Sequence, residues 1–365
     1  MTIGTAMSDH EYDRATAVKQ FDESKIGVKG LVDSGATTIP PFFVHPPENL
    51  CNSTPSTTPP ASDIIPVVDF TGVHSDRRSS IVEQIRDAAR EFGFFQVINH
   101  GIPSDIINST IGAIKAFNEQ PTEVKSQYYT RDMGRGVCFS TNYDLYQSKA
   151  ANWRDTIQMM LGPTLPVIEH IPAIFQREAL EWNQQVRRLG EVLMEILSEG
   201  LGLKPERLKE LSCLEGRWMS AHYYPYCPQP DLTLGNTSHT DPGVLTVLVQ
   251  NHIGGLQVKH GDEWLDVKPV SDALVFNIGD ILQMLSNDEY RSVEHRVLAN
   301  PHREPRISIA IFLNPSRMNE FYGPLPELTS PDKSALFRQF TLTEYMEKFI
   351  SKDMDDNSVI NFFRS

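Results

Sequence analysis

SHTD at 238–241, VEHRV at 293–297 and PRISIAIFLNP at 305–315 decide how this chain folds, because together they offer two imidazoles, a carboxylate and a guanidinium to one cavity. Successive side chains of a strand alternate faces, so His239 and Asp241 point the same way and can grip one ion, with His295 completing the set. Two histidines and a carboxylate on one face of an octahedron leave three positions open, the arrangement of non-haem Fe(II) sites that work on oxygen. A chelating 2-oxo acid fills two of those positions and O2 the third, whereas a closed structural zinc site leaves none.

EHRVLA, the turn-rich NPHREP and RISIAIF read as a hairpin with Pro301 and Pro305 interrupting its ladder. Folded symmetrically between Asn300 and Pro301, it sets His295 opposite Arg306, with Cβ atoms roughly 5 Å apart. The planar fork of Arg306 suits two-point binding of a carboxylate, and Ser308 on the same face adds a hydrogen bond. The same parity runs through Ala310 to Phe312 and turns that ring inward.

HTD, the later histidine and RIS resemble the plant 2-oxoglutarate/Fe(II)-dependent dioxygenase superfamily. So do HYYPYCPQP at 222–230, GGLQV at 254–258, IPVVDF at 65–70 and EFGFFQVINHGIP at 91–103, which together span most of the chain. The opening DRATAVKQFDESKIGVKGLVDSG at 13–35 with IPPFFVHPP at 39–47 is most similar to the branch of ACC oxidase homologues and deacetoxyvindoline 4-hydroxylase-like enzymes. The resemblance implies a double-stranded β-helix, Fe(II) on His239, Asp241 and His295, and 2-oxoglutarate held by Arg306 and Ser308. It further implies that Tyr224 and His222 touch 2-oxoglutarate, that ascorbate stimulates turnover, and that the product is a hydroxylated small metabolite of plant specialised metabolism. The family more often has Asn where His222 stands, and the charge of an imidazole varies with pH. Phe312 falls where the superfamily packs a residue on the organic substrate; Phe139, Tyr143 and Thr156 are the reserve candidates for that pocket. WRD at 153–155 is a further shared feature, read as structural. The other eight histidines read as surface or hydrogen-bonded core residues.

At 365 residues and 40% hydrophobic the chain can bury a substantial core, and its net charge of −14 argues against nucleic acid or anionic membrane as a partner. Four scattered cysteines without CxxC spacing point to free thiols in a reducing compartment. Without an apolar leader or a spanning run, the expectation is a cytoplasmic protein, taken as a monomer, whose partners are a small-molecule substrate and O2.

Residues 1–35 read as one or two helices laid on the body, and the Pro, Ser and Thr of 46–62 as an extended linker. IPVVDF and FFQVIN read as strands. Ser80 with Glu83 fits a capping box opening a helix that ends at Gly93, and a second amphipathic helix carries Ile107, Ile111, Ile114 and Phe117. A long helix from about Ala173 to Gly200 has an apolar stripe that needs a sheet to cover it. Past residue 215, short strands separated by Gly and Asp turns indicate a sandwich or closed barrel. From Ser330 the chain reads as helical again, with Ser330-Pro331 starting one helix and Thr341 and Glu344 capping another that docks through Tyr345, Met346, Phe349 and Ile350. The expected class is α+β: a jelly-roll, cupin-like core flanked by helices. Its parts would be an arm and linker at 1–62, a mostly helical region at 63–212, the catalytic core at 213–320 and a helical tail at 321–365. Three rivals stay open: an ascorbate-dependent ACC oxidase-type enzyme, a jelly-roll protein that binds metal without catalysis, and a zinc hydrolase.

Overall fold

The structure is a computed structural model that describes residues 12–50, 65–351 and 359–365. In chain order its main strands are β1 (Val67–Asp69), β2 (Phe94–Ile98), β3 (Val137–Ser140), β4 (Asp155–Gly162), β5 (Gly216–Tyr224), β6 (Leu234–His239), β7 (Leu245–Gln250), β8 (Leu256–His260), β9 (Glu263–Asp266), β10 (Leu274–Ile278), β11 (His295–Leu298) and β12 (Arg306–Asn314). An eight-stranded sheet runs β1-β2-β10-β7-β12-β5-β4-β3, and a four-stranded sheet runs β6-β11-β8-β9. Apart from the parallel β1–β2 pair the large sheet is antiparallel. This is the jelly roll expected from the strand pattern, in an α+β molecule.

Strand β12 shows why. Ile307, Ile309, Ile311 and Leu313 are essentially inaccessible and share one hydrophobic cluster with Trp182, Val186, Leu193, Ile196 and Leu197 of the helix Gln176–Gly200. Each such aliphatic side chain contributes about 1.5–3 kcal/mol when fully buried. The alternate residues, Arg306, Ser308, Ala310 and Phe312, therefore face the other way, into the space between the sheets. The long helix begins at Gln176, and its stripe covers the outer face of the sheet as expected.

Strands β11 and β12 do not form the expected hairpin. β11 pairs with β6 and β8 in the small sheet, while β12 pairs with β5 and β7 in the large one. Between them Asn300 holds a tight crossing: its Nδ2 donates to the Tyr224 and Glu304 carbonyls, and its Oδ1 accepts from the His302 amide. The crossing gives each strand two ladder partners where a lone hairpin would give it one. His295 is thus opposite His239, and Arg306 opposite Tyr224.

Other local expectations divide. The helix expected from Ser80 starts at Arg78, so Ser80 lies inside it and its hydroxyl accepts from Gln84 Nε2. Gly93 ends that helix with φ +62°, and a Cβ there would lie 2.2 Å from the Arg291 carbonyl oxygen. Ser330 opens a turn, not a helix, its hydroxyl accepting from the Lys333 amide. Thr341 caps Leu342–Ile350 as expected, but Glu344 pairs with Arg338 instead of closing the box, and Ile350 is exposed. Pro47–Leu50 forms a helical turn where extended chain was expected, and the rest of the linker, 51–62 with Cys51, lies outside the described residues. Strands β1 to β4, from the region read as mostly helical, are built into the large sheet, so the sheet crosses the 212/213 boundary.

A buried carboxylate ties three segments together. Asp280 accepts hydrogen bonds from Thr240 (3.2 Å), Ser292 (2.6 Å) and Tyr345 (2.8 Å), and its amide donates to the Asp241 carbonyl (2.8 Å). Burial pushes its carboxyl up to about 6 despite those donors. Asp280→Ala would strand the half-buried Ser292 hydroxyl and the buried hydroxyls of Thr240 and Tyr345, each of the buried two costing about 1–3 kcal/mol if unmatched. We expect a lower midpoint in urea with secondary structure retained; an unchanged midpoint would show that the tether is dispensable.

Candidate active site

The three side chains that could hold a metal ion converge from two segments. His239 closes β6, Asp241 follows in the turn beyond it, and His295 opens β11, so the ladder itself sets the histidines face to face. One ligand atom from each lies within 4.8 Å of the others, and Asp241 Oδ1 is 3.6 Å from Nε2 of both rings. The ring nitrogens are oriented for metal: His239 Nδ1 sits 2.8 Å from the Thr237 carbonyl and His295 Nδ1 3.2 Å from the Val293 carbonyl. Each Nδ1–H donating there leaves the Nε2 lone pair turned to Asp241. Burial, reinforced by His295, holds His239 neutral with its pKa down at about 3. For Asp241 burial pulls the other way, but the two imidazoles and the donors Asn277 (2.7 Å) and Thr246 (2.5 Å) keep the carboxyl below its ordinary value. Those donors occupy Oδ2 and leave Oδ1 facing the histidines. Two imidazole nitrogens with one carboxylate oxygen are the donor set that suits Fe(II) with open positions.

Across the cavity the large sheet presents Arg306, Ser308, Tyr224 and His222, which are adjacent on β12 and β5 by register. Arg306 is 1% exposed. Its Nη1 donates to Ser308 Oγ (3.1 Å) and its Nη2 to Gln250 Oε1 (2.7 Å), and its guanidinium carbon lies 4.9 Å from the centroid of the Tyr224 ring. Nε has no partner and, among the described residues, no carboxylate pairs with the group, so a buried cation stands there without an anion. Such a charge suits the distal carboxylate of a 2-oxo diacid. The pH-dependent charge expected of His222 is absent: burial, helped by the positive charges of Arg154 and Arg306, drives its pKa well below the ordinary histidine value. Its Nδ1 lies 2.9 Å from Thr156 Oγ1.

The expected substrate residues scatter. Phe312 is half-buried and stands opposite Thr246, whose hydroxyl reaches Asp241, so its ring does face the metal cavity. Thr156 shares that inner face opposite His222. Phe139 does not: it lies on the reverse of β3, inaccessible, packed edge-on to Phe117 and Tyr129 in the main core. A shift of one residue in an alternating strand puts a side chain on the wrong side of the sheet. Tyr143 is 67% exposed in the loop after β3. Gln250, Thr246, Asn277 and Asp280 escaped the sequence reading, although Thr246 and Gln250 share strand parity on β7. Arg154 also escaped, because Trp153 and Asp155 beside it are indeed structural. Trp153 is core, its Nε1 donating to the Tyr226 carbonyl (3.1 Å), and Asp155 accepts from the Val28 and Lys29 amides and from Thr141.

Two family descriptions match the chain: 2OG-Fe(II) oxygenase superfamily over residues 216–315, and the non-haem dioxygenase N-terminal region over residues 65–181. Among curated proteins, 1-aminocyclopropane-1-carboxylate oxidase homolog 1 of Arabidopsis thaliana is 47% identical over 357 residues, covering 96% of this chain and 97% of that one. A probable 2-oxoacid dependent dioxygenase of the same plant is 42% identical, covering 97% and 99%. Among solved structures, JOX2 in complex with 2OG, Fe and JA superposes with a TM-score of 0.80 at 30% identity, covering 93% of this chain and 97% of that one. The rice dioxygenase for auxin oxidation, at 21% identity and a TM-score of 0.71 over 82% of this chain and all of that one, shares the fold. With the paired histidines, the carboxylate and the buried Arg306 already in place, these likenesses establish that the chain belongs to the 2OG-Fe(II) oxygenase superfamily and is an oxidoreductase of the dioxygenase type.

Proposed function

We propose that the protein hydroxylates a small organic metabolite, with Fe(II) held by His239, Asp241 and His295 and the distal carboxylate of 2-oxoglutarate held by Arg306 and Ser308. The observation that carries this is the buried Arg306 guanidinium, hydrogen-bonded to neutral side chains and without an anion. Once bound, Fe(II) and 2-oxoglutarate supply the chemistry, O2 being reduced while the co-substrate leaves as succinate and CO2. The chain's own residues position and shelter. Arg306 offers a two-pronged grip, with Gln250 and Ser308 holding its plane, and Tyr224 roofs it with an aromatic face. His222, kept neutral, adds no charge to repel the metal or compete for the carboxylate. Asn277 and Thr246 fix Asp241 so that a single oxygen is offered to the ion. Phe312 supplies a flat wall against which an organic substrate can rest. We further place the enzyme in the cytoplasm as a monomer and expect ascorbate to stimulate it; the buried free thiols Cys138, Cys213 and Cys227 accord with a reducing compartment. No helix among the described residues is long and apolar enough to cross a membrane.

The relatives named as oxidase homologues make an ascorbate-driven reaction the reading to set beside this one. Counting 2-oxoglutarate consumed and succinate formed during substrate oxidation decides between them, since full turnover without any 2-oxo acid favours ascorbate. Asp241→Ala should retain the circular dichroism of the wild type while losing Fe(II) in equilibrium dialysis; iron held at unchanged stoichiometry would move the metal elsewhere. Arg306→Lys replaces a fork by a point charge and should cost about 2–3 kcal/mol, raising the 2-oxoglutarate requirement about 30- to 150-fold with little effect on the substrate. Phe312→Ala should let 2-oxoglutarate be consumed without matching product, because a loosely seated C–H bond is not oxidised in step. A one-to-one ratio of succinate to product in that variant would return Phe312 to the barrel filling.

A further inference from the structure

Arg154 is a second buried arginine, and among the described residues no carboxylate forms an ion pair with it. It is 5% exposed, and among the described residues its Nε and Nη1 have no hydrogen-bond partner and its guanidinium makes no ion pair. Arg296, also buried, has by contrast Gln257 Oε1, the Asn49 carbonyl and the Trp264 ring around it.

The backbone leaves Arg154 little freedom. The Trp153 amide donates to the Leu234 carbonyl (2.8 Å) and Asn152 Oδ1 accepts from the Thr237 amide (2.9 Å), which sews this segment to β6, the strand that carries His239. Trp153 and Asp155 point into the core beneath the N-terminal arm, so by alternation Arg154 shares the inner face with Thr156. Its charge reaches His222 and His239 on one side and Asp144 and Tyr143 on the other. It therefore stands between the metal ligands and the exposed loop carrying Tyr143, on the side of the cavity away from the β12 position of Arg306.

We propose that Arg154 binds an anionic group of the organic substrate, a carboxylate, so that this enzyme oxidises an organic acid. A single guanidinium matches one negative charge and two oxygens in a plane, whereas a phosphate dianion would call for a second cation at the same point. A neutral substrate would leave the buried charge unmatched in the closed complex. The acid then lies with its carboxylate at Arg154 and its reacting carbon toward the metal, with Phe312 as the wall on the other strand.

The proposal rests on the 2-oxoglutarate reading, and the test separates the two. Purified full-length protein loaded with Mn(II) and 2-oxoglutarate is titrated by calorimetry with a set of small carboxylic acids and their methyl esters. The same compounds are then screened with Fe(II) for stimulated succinate formation. Acids should bind and stimulate, and their esters should bind roughly 10- to 100-fold more weakly. Arg154→Gln should abolish that preference while leaving the 2-oxoglutarate titration within about twofold, and Arg154→Lys should restore part of it. Esters equal to acids, or an acid preference that survives Arg154→Gln, overturn the anchor. So does a loss confined to 2-oxoglutarate binding, which would assign Arg154 to the co-substrate. Acids that bind through Arg154 without any consumption of 2-oxoglutarate leave the anchor standing and remove the co-substrate reading instead.

Discussion

The register of β12 between β5 and β7 is the constraint on which the rest of the molecule depends. With Arg306 opposite Tyr224 and Ser308 opposite His222 and Gln250, one face of the strand assembles the polar wall of the cavity. The other face, Ile307 to Leu313, is the apolar bed of the long helix. A slip of one residue would bury the guanidinium under that helix and turn the isoleucines toward the metal ligands. The fold and the site are thus secured by the same hydrophobic burial, and a slip at this strand would disturb both.

The cavity is lined by arginines and by two imidazoles, His222 and His239, that burial drives toward neutrality. Arg306 and Arg154 cannot shed their charge, and both histidines whose values are displaced, His222 and His239, are driven toward neutrality. Beside them Asp241 has its carboxyl held below the ordinary value, with Asn277 and Thr246 among the groups that hold it there. Buried guanidinium groups on this wall favour an anionic ligand, and a diacid co-substrate is one.

What could be read from the sequence follows from how local each rule is. HxD and RxSxAxF obey strand parity, which needs only neighbours, and the structure places their side chains where parity says. The partner of a strand is not local: EHRVLA and RISIAIF are adjacent in sequence yet enter different sheets, because long-range ladders offered each of them more than the short turn did. Phe139 was misplaced by one position in a strand whose register is set by β4. Arg154 was hidden by its neighbours, since Trp153 and Asp155 have evident structural work and the residue between them points the opposite way. At Ser330 the hydroxyl accepts from the Lys333 amide just as Thr341 accepts from that of Glu344, but there the backbones of Ser330 and Lys333 close on each other as an isolated bridge and the chain does not continue into a helix.

The N-terminal arm reaches this site from outside. Asp155 accepts from the amides of Val28 and Lys29, and any Cβ at Gly27 would come within 2.6 Å of its carboxylate; Asp22 meanwhile receives Tyr129, Arg131 and Tyr146. The arm is therefore keyed to the two loops that flank Arg154 as a pin is to its socket. In a chimera made from two relatives, the stretch around residues 13–35 and the stretch around 129–155 form one exchangeable cassette, and moving either alone would set a mismatched pin against the segment that carries Arg154.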